Sequence, residues 1–491
     1  MQVRHGALRE YLNGALWALP TISVVIVLAV GALLSTVELD RGSLLGWLSY
    51  RGNADAARQI LTVVSGTMIT VIALVFSLTI VALQISSTQF SPRLLRNFLR
   101  DRPIQVVLSV FVSTFAYSTA GLFAVGVERN GREFVPGVAV SGALLLGFAS
   151  LGMLVFYIHH VAHSIQVDTI MEKVQLQTLA VAACMHPDLL AGPESVDAAT
   201  PPADTPPDAF VTAHRPGYVQ TVDIPEVTAL AERYGCSIRV PFRAGQHVNR
   251  GTLVAAVWQR TPAGQPRSPA LAEALQGAVR IGFERTLEQD VRFGIRQLVD
   301  IACKALSPAI NDPYTAVQAT DRLSVVLVDL AHRETGDRLV YDDEGSLLVA
   351  ATLPAFDTYL DLACGQIRRY GCAEPIVAAS LVRLLTDTGN ATVSARRRRQ
   401  VARQVRILSE DVERAPRLPV DFATVRTVAA EAAECFEQGC ATPGPADRPR
   451  SAAWDFSSWA STAPPGGHRS WSSPEGLGAA VPADGRRSAR R

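Results

Sequence analysis

No cysteine precedes Cys184, and none of the seven that follow (Cys184, Cys236, Cys303, Cys364, Cys372, Cys435, Cys440) forms a CxxC pair. That pattern argues against a disulfide framework and a zinc site, and places the cysteine-bearing half in a reducing compartment. Net charge is nearly absent, at +1, so nothing points to a nucleic-acid partner. There is no GxSxG, P-loop, HExxH or kinase signature, so neither an enzyme nor a cofactor is expected. Charge is also missing from four long apolar runs, none of which holds an Asp, Glu, Lys or Arg. Coupled carriers usually need such a residue, so a passive pore or a plain anchor fits better.

What is there is hydrophobic length. The runs are Leu16–Leu34, Ile60–Leu83, Ile104–Val127 and Val135–Ile158. Helices of this length cross a bilayer core of roughly 30 Å. The first run is too long for a signal-peptide core and lacks a convincing cleavage site, so it reads as a retained anchor. Arg93, Arg96, Arg100 and Arg102 crowd the loop between the second and third runs. By the positive-inside rule that loop and both termini are cytoplasmic, in a bacterial inner membrane. Within that loop, Ser91-Pro92 opens a basic amphipathic segment, read as a membrane-surface elbow or as a pore vestibule.

With 491 residues and 48% apolar composition, two or three domains are expected. The expected architecture is an α-helical integral membrane domain of four transmembrane helices (1–165), followed by a helix and proline-rich linker (166–212). A small β-barrel-like insert (213–260), a mainly helical part (268–440) and a disordered basic tail (441–491) complete it. The insert and the helical part together form a mixed α/β cytoplasmic domain. The turn Gly245–Gly251 looks like those of biotinyl carrier domains, but the carrier lysine is missing.

Three sets of residues are site candidates. Thr62, Gly66, Thr70, Ser77 and Gln84 recur at helical spacing with Ala73, a small polar stripe on the second span. Such a stripe either packs against another helix or lines a conduit. Ser109, Ser113 and Gly121 give the third span a matching stripe. His159, His160 and His163 end the fourth span; they are candidates for a pH response, and no metal is assigned to them. Arg285, Gln289, Asp290, Arg296, Asn311 and Asp312 stand in a dense polar stretch. They read as a helix, a break at Leu306-Ser307-Pro308 and a second helix capped by Asp312-Pro313, or as a ligand or subunit contact. The Arg396–Arg399 run reads as a solvated or lipid-facing face.

FSLTIVALQISSTQFSPRLL at Phe76–Leu95, RTLEQDVRFGIRQLVDIACKALSPAINDPYTA at Arg285–Ala316 and IHHVAHSIQ at Ile158–Gln166 carry a resemblance over residues 10 to 435 or so. In these the chain resembles an uncharacterised bacterial multi-pass membrane protein family, domain of unknown function 2254. The resemblance implies several spans and a soluble C-terminal part, and it brings no activity or catalytic residues. The expected function is an oligomeric passive channel, a homo-oligomer in the bilayer with a cytoplasmic regulatory domain. The alternative is a membrane-anchored sensor or scaffold binding an unidentified ligand or partner protein.

Overall fold

The computed structural model of the chain describes residues 17–36, 50–89, 102–126, 128–129, 132–133, 135–189, 206–414 and 419–438. The basic segment at 91–100, most of the proline-rich linker and the tail from 441 lie outside these residues.

Four apolar helices come first: α1 (Ala18–Thr36), α2 (Ala54–Gln89), α3 (Arg102–Ala124) and α4 (Gly137–Ser164). The last three are long and apolar enough to cross a membrane, whereas the apolar helix Ala18–Leu34 is shorter. α3 is the hub, packed against the other three. It buries Ile104, Val107, Phe111 and Tyr117 on several sides, together with Ser109, Ser113, Thr114 and Ser118. Lipid is as apolar as a leucine side chain, so small residues and hydrogen bonds hold such helices together. Gly121 lets α2 approach, since a Cβ there would lie 3.2 Å from Leu61. The Tyr117 hydroxyl donates to the Ala139 carbonyl at 3.0 Å, and Thr114 bonds Ser150 at 3.0 Å. Tyr157, fully buried on α4, donates to the Val75 carbonyl at 3.0 Å and meets the Thr79 hydroxyl at 2.5 Å.

Two residues after α4, helix α5 (Val167–Met185) begins. It buries Met171, Val174, Thr178 and Ala182 and packs among helices of the C-terminal half. The strands follow as β3 (Ala209–Thr212), β4 (Gly217–Val222), β5 (Cys236–Val240), β6 (His247–Val248), β7 (Leu253–Gln259) and β8 (Val279–Gly282). After them come β9 (Arg338–Tyr341) and β10 (Leu347–Ala351). A two-residue hairpin, β1 (Glu128–Arg129) and β2 (Arg132–Glu133), lies between α3 and α4.

The main strands form two sheets, ordered β3-β7-β5-β10-β9 and β6-β4-β8. No closed barrel forms among the described residues, which corrects the barrel-like insert expected above. The alternating apolar residues pack between two open sheets instead. The sheets share one core, including Val219, Ile238, Val257, Ile281 and Val349. Helices α6 (Ile224–Arg233) and α7 (Pro269–Gly277) contribute Val227, Leu230, Leu271 and Leu275 to it. The β9–β10 hairpin comes from far along the chain. It joins the larger sheet by parallel pairing of β10 with β5, Val349 opposite Ile238.

The helical layer comprises α8 (Val291–Ala305), α9 (Pro313–Ala331), α10 (Phe356–Gly371), α11 (Pro375–Ala391), α12 (Ala395–Arg414) and α13 (Ala423–Glu437). α5 crosses α8 so closely that a Cβ on Gly294 would overlap the Thr178 hydroxyl. α5 is therefore part of this layer rather than part of a linker.

Candidate functional site

On α2 the burial pattern separates two faces. Ala54, Ala57, Leu61, Met68, Val75 and Ala82 are buried, with Val64, Val71 and Leu78 half-buried between them. Their three-and-four spacing is an apolar packing seam. The stripe Thr62, Gly66, Thr70, Ala73, Ser77 and Gln84 lies on the opposite side and is exposed at every position. Nothing approaches the space a Gly66 Cβ would fill. The Thr62 hydroxyl donates to the Arg58 carbonyl at 2.8 Å, and Thr70 reaches the Gly66 carbonyl at 3.5 Å, both on the same helix. The matching stripe of α3 behaves differently: Ser109 and Ser113 are buried within the bundle.

His159 and His163 stand ring to ring on exposed α4 surface, 4.7 Å between centroids, and His160 stacks on Phe156 at 5.8 Å. No metal-holding group of His, Cys, Asp and Glu occurs among the described residues.

The polar stretch divides in two, separated by the length of α8, about 22 Å at ~1.5 Å per residue. At the far end, Asn311 adopts a left-handed φ of 50°. Asp312 caps α9, accepting from the Thr315 backbone at 3.1 Å and from its hydroxyl at 2.5 Å. Those bonds hold the Asp312 carboxyl below the usual carboxylate range. Arg296, midway along α8, donates to Gln366 at 2.6 Å, tying α8 to α10.

At the near end, Arg285, Gln289 and Asp290 form a seam with the strands. Gln289 pairs with both backbone groups of Val222, accepting from its N–H at 2.8 Å and donating to its carbonyl at 3.2 Å. Asp290 is 3% exposed. Its Oδ1 caps α8, accepting from Phe293 N–H at 3.2 Å, while Oδ2 accepts from Arg285 Nε at 3.0 Å and Nη2 at 2.5 Å. Burial pushes this carboxyl up, and the Arg285 guanidinium opposes the push. Gly245 sits over the pair with φ of 82°, and a Cβ there would overlap Asp290 Oδ2. Arg243 and Arg292 flank the same place: both act electrostatically on Tyr359, and Arg243, Asp290 and Arg285 act on Arg292. Burial and the neighbouring Arg243 both lower Arg292 from its ordinary value.

Behind this group, His186 and Tyr359 are buried with Nε2 and hydroxyl 2.8 Å apart. Burial depresses His186 to about 4, against an opposing bond to the Glu334 backbone. A neutral ring that donates from Nδ1 to that carbonyl accepts the Tyr359 hydroxyl at Nε2. The sign follows. The folded value lies below the ordinary 6.5, so the unfolded chain takes up the proton first. Stability is full above pH ~6.5 and falls toward pH ~4 by up to about 1.4 kcal/mol per pH unit. Unfolding of the full chain in detergent between these limits should be less pH-dependent in His186→Asn than in the parent. An unchanged slope would assign the dependence to other groups.

Sequence reasoning found Arg285, Gln289 and Asp290 but not Arg243, Tyr359 or His186. The only available signal was Arg243, two residues before a glycine-bounded turn; the others are brought in from distant helices.

A bundle of apolar helices, three of them long and apolar enough to cross a membrane, followed by an α/β part is the architecture of a multi-pass membrane protein. The family described as predicted membrane protein DUF2254 matches residues 13–387, and the chain belongs to it. An uncharacterized protein of Mycobacterium bovis is 46% identical over 447 residues, covering 90% of this chain and 85% of that protein. An uncharacterized protein of Mycobacterium tuberculosis H37Rv is similar to the same extent. No solved structure matches.

Proposed function

We propose that the chain is a non-enzymatic membrane protein that assembles through the outward face of α2, the assembled stripes lining a passive path regulated by the C-terminal half. The observation that carries this is the exposure of the whole stripe, opposite an apolar seam that already satisfies packing within the protomer. Three helices packed on α3 are few to enclose an aqueous axis, so a conduit requires several copies. Small residues favour close approach of helices.

Single cysteines placed along α2 in a cysteine-free background test the reading. A membrane-impermeant thiol reagent should label positions 62, 66, 70, 73 and 77 and spare 61, 64, 68, 71 and 75. Thr70→Leu and Ser77→Leu should then abolish flux in proteoliposomes while leaving the fold intact. Protection along the whole of α2, together with a monomer by native mass spectrometry, would sink the pore.

A second reading, a membrane-anchored sensor of a small ligand, is supported by the arginines gathered at Asp290. In it the spans hold the C-terminal half at the membrane.

A further inference from the structure

Arg285 pairs with Asp290, Arg292 also acts electrostatically on that carboxylate, and Arg243, two residues before the Gly245 that covers the pair, acts on Arg292. Asp290 spends Oδ2 on Arg285 and Oδ1 on the first turn of α8. Arg243 and Arg292 have no ion pair among the described residues, and Arg292 Nε is covered without a hydrogen-bond partner. Of the groups acting on Arg292, two are arginines and Asp290 is the only carboxylate. Around Arg292 the arginines outnumber the carboxylate, so positive charge is in excess. Like charges brought together in a half-buried place repel, and a folded chain tolerates them best when an anion binds there.

The place is also shaped. Gly245 leaves no side chain over Asp290 and Arg285, keeping backbone close to the cluster. Arg285 Cζ stands over the Phe293 ring, 5.1 Å from its centroid, which helps hold the guanidinium in place. Its side chain is 26% exposed, and Arg243 and Arg292 are half-buried, so the group is open to solute. Tyr359 on α10, bonded through its hydroxyl to His186, lies close enough to feel Asp290, Arg292 and Arg243 electrostatically.

We propose that Arg243, Arg285 and Arg292 form a binding site for a phosphoryl group. A phosphoryl group carries about two negative charges at neutral pH, opposite in sign to the excess, and its oxygens suit forked guanidinium donors. The site deepens the sensor reading but needs no flux through α2, so it stands or falls separately from the pore. The phosphoryl group belongs either to a soluble phosphate compound or to a phospholipid headgroup.

The test is thermal unfolding of the full-length chain in detergent. Inorganic phosphate is titrated against chloride at matched ionic strength, and a short-chain phosphatidic acid is titrated in parallel. Phosphate or phosphatidic acid should raise Tm where chloride does not, and the probe acting at lower concentration identifies the source. Arg243→Gln and Arg292→Gln should each weaken the effect by roughly tenfold, and the double variant should lose it. In the absence of anion the double variant should be no less stable than the parent, since the arginine–arginine repulsion it relieves outweighs the attraction to Asp290 it gives up. A double variant that retains the full anion shift, a parent with no shift for either probe, or a double variant destabilised without anion would overturn the site. The last outcome would make the arginines structural.

Discussion

Asp290→Ala is expected to lower the stability of the C-terminal half by about 3 kcal/mol, near the low end for breaking a buried ion pair. The low end applies because Arg285 keeps a quarter of its side chain in water, which screens part of the loss. Two effects add. Arg285 loses its carboxylate partner and is left beside Arg292, and α8 loses a cap, typically ~1 kcal/mol. Asp290→Asn retains a capping oxygen but not the charge, so it should fall between parent and alanine variant. Denaturant unfolding of the full chain, read by tryptophan fluorescence or circular dichroism, gives the difference. A change below about 0.5 kcal/mol for Asp290→Ala, the size of an ordinary surface substitution, would mean the seam does not hold the strands to the helices.

Arg397→Ala should be as damaging, by about 3 kcal/mol, while Arg396→Ala and Arg399→Ala stay within about 0.5 kcal/mol. Arg397 is 4% exposed. Its Nη1 donates to the carbonyls of Ala331 at 3.2 Å and Arg333 at 2.9 Å, and its Nη2 donates to the Thr335 hydroxyl at 3.2 Å. The guanidinium also lies over the Phe356 ring at 5.1 Å. It therefore closes the C-terminal end of α9, where unpaired carbonyls and the helix dipole both favour a cation. Truncation strands buried acceptors, each at a cost of ~1–3 kcal/mol, partly recovered by entering water. Arg397→Lys should rescue little, because a single ammonium cannot span the same acceptors. Equal losses from Arg396→Ala and Arg397→Ala would contradict this account.

Arg397 also marks where sequence reading stopped. A run of four arginines on an amphipathic helix looks like one solvated face, yet a helix turns each successive residue by about a quarter circle or more. One of the four had to face the core, and only the position of α9 decides which. The apolar runs were legible because length and lack of charge suffice for a span. The cap of α9 at Asp312 was legible, because capping is local, whereas the start of α8 after Asp290 was not, since the helical pattern reads back to about Leu287. The stripe on α2 was visible, but its direction was not. Apolar residues lie on both sides of that helix, and only its contacts with α3 and α4 select the Leu61–Met68–Val75 face for packing. The β9–β10 hairpin could be read as a hairpin, but its parallel partner β5 lies about a hundred residues earlier, and no local signal encodes that pairing.

The joint between α4 and α5 is two residues, Ile165 and Gln166. A tether of that length extends no further than about 7 Å, which leaves almost no slack. α5 is wedged against α8 at the Thr178–Gly294 crossing, and α8 begins at the Asp290 seam. A piston or tilting movement of α4 would therefore be carried into α5 and onto the first turns of α8 at the Gly294 crossing.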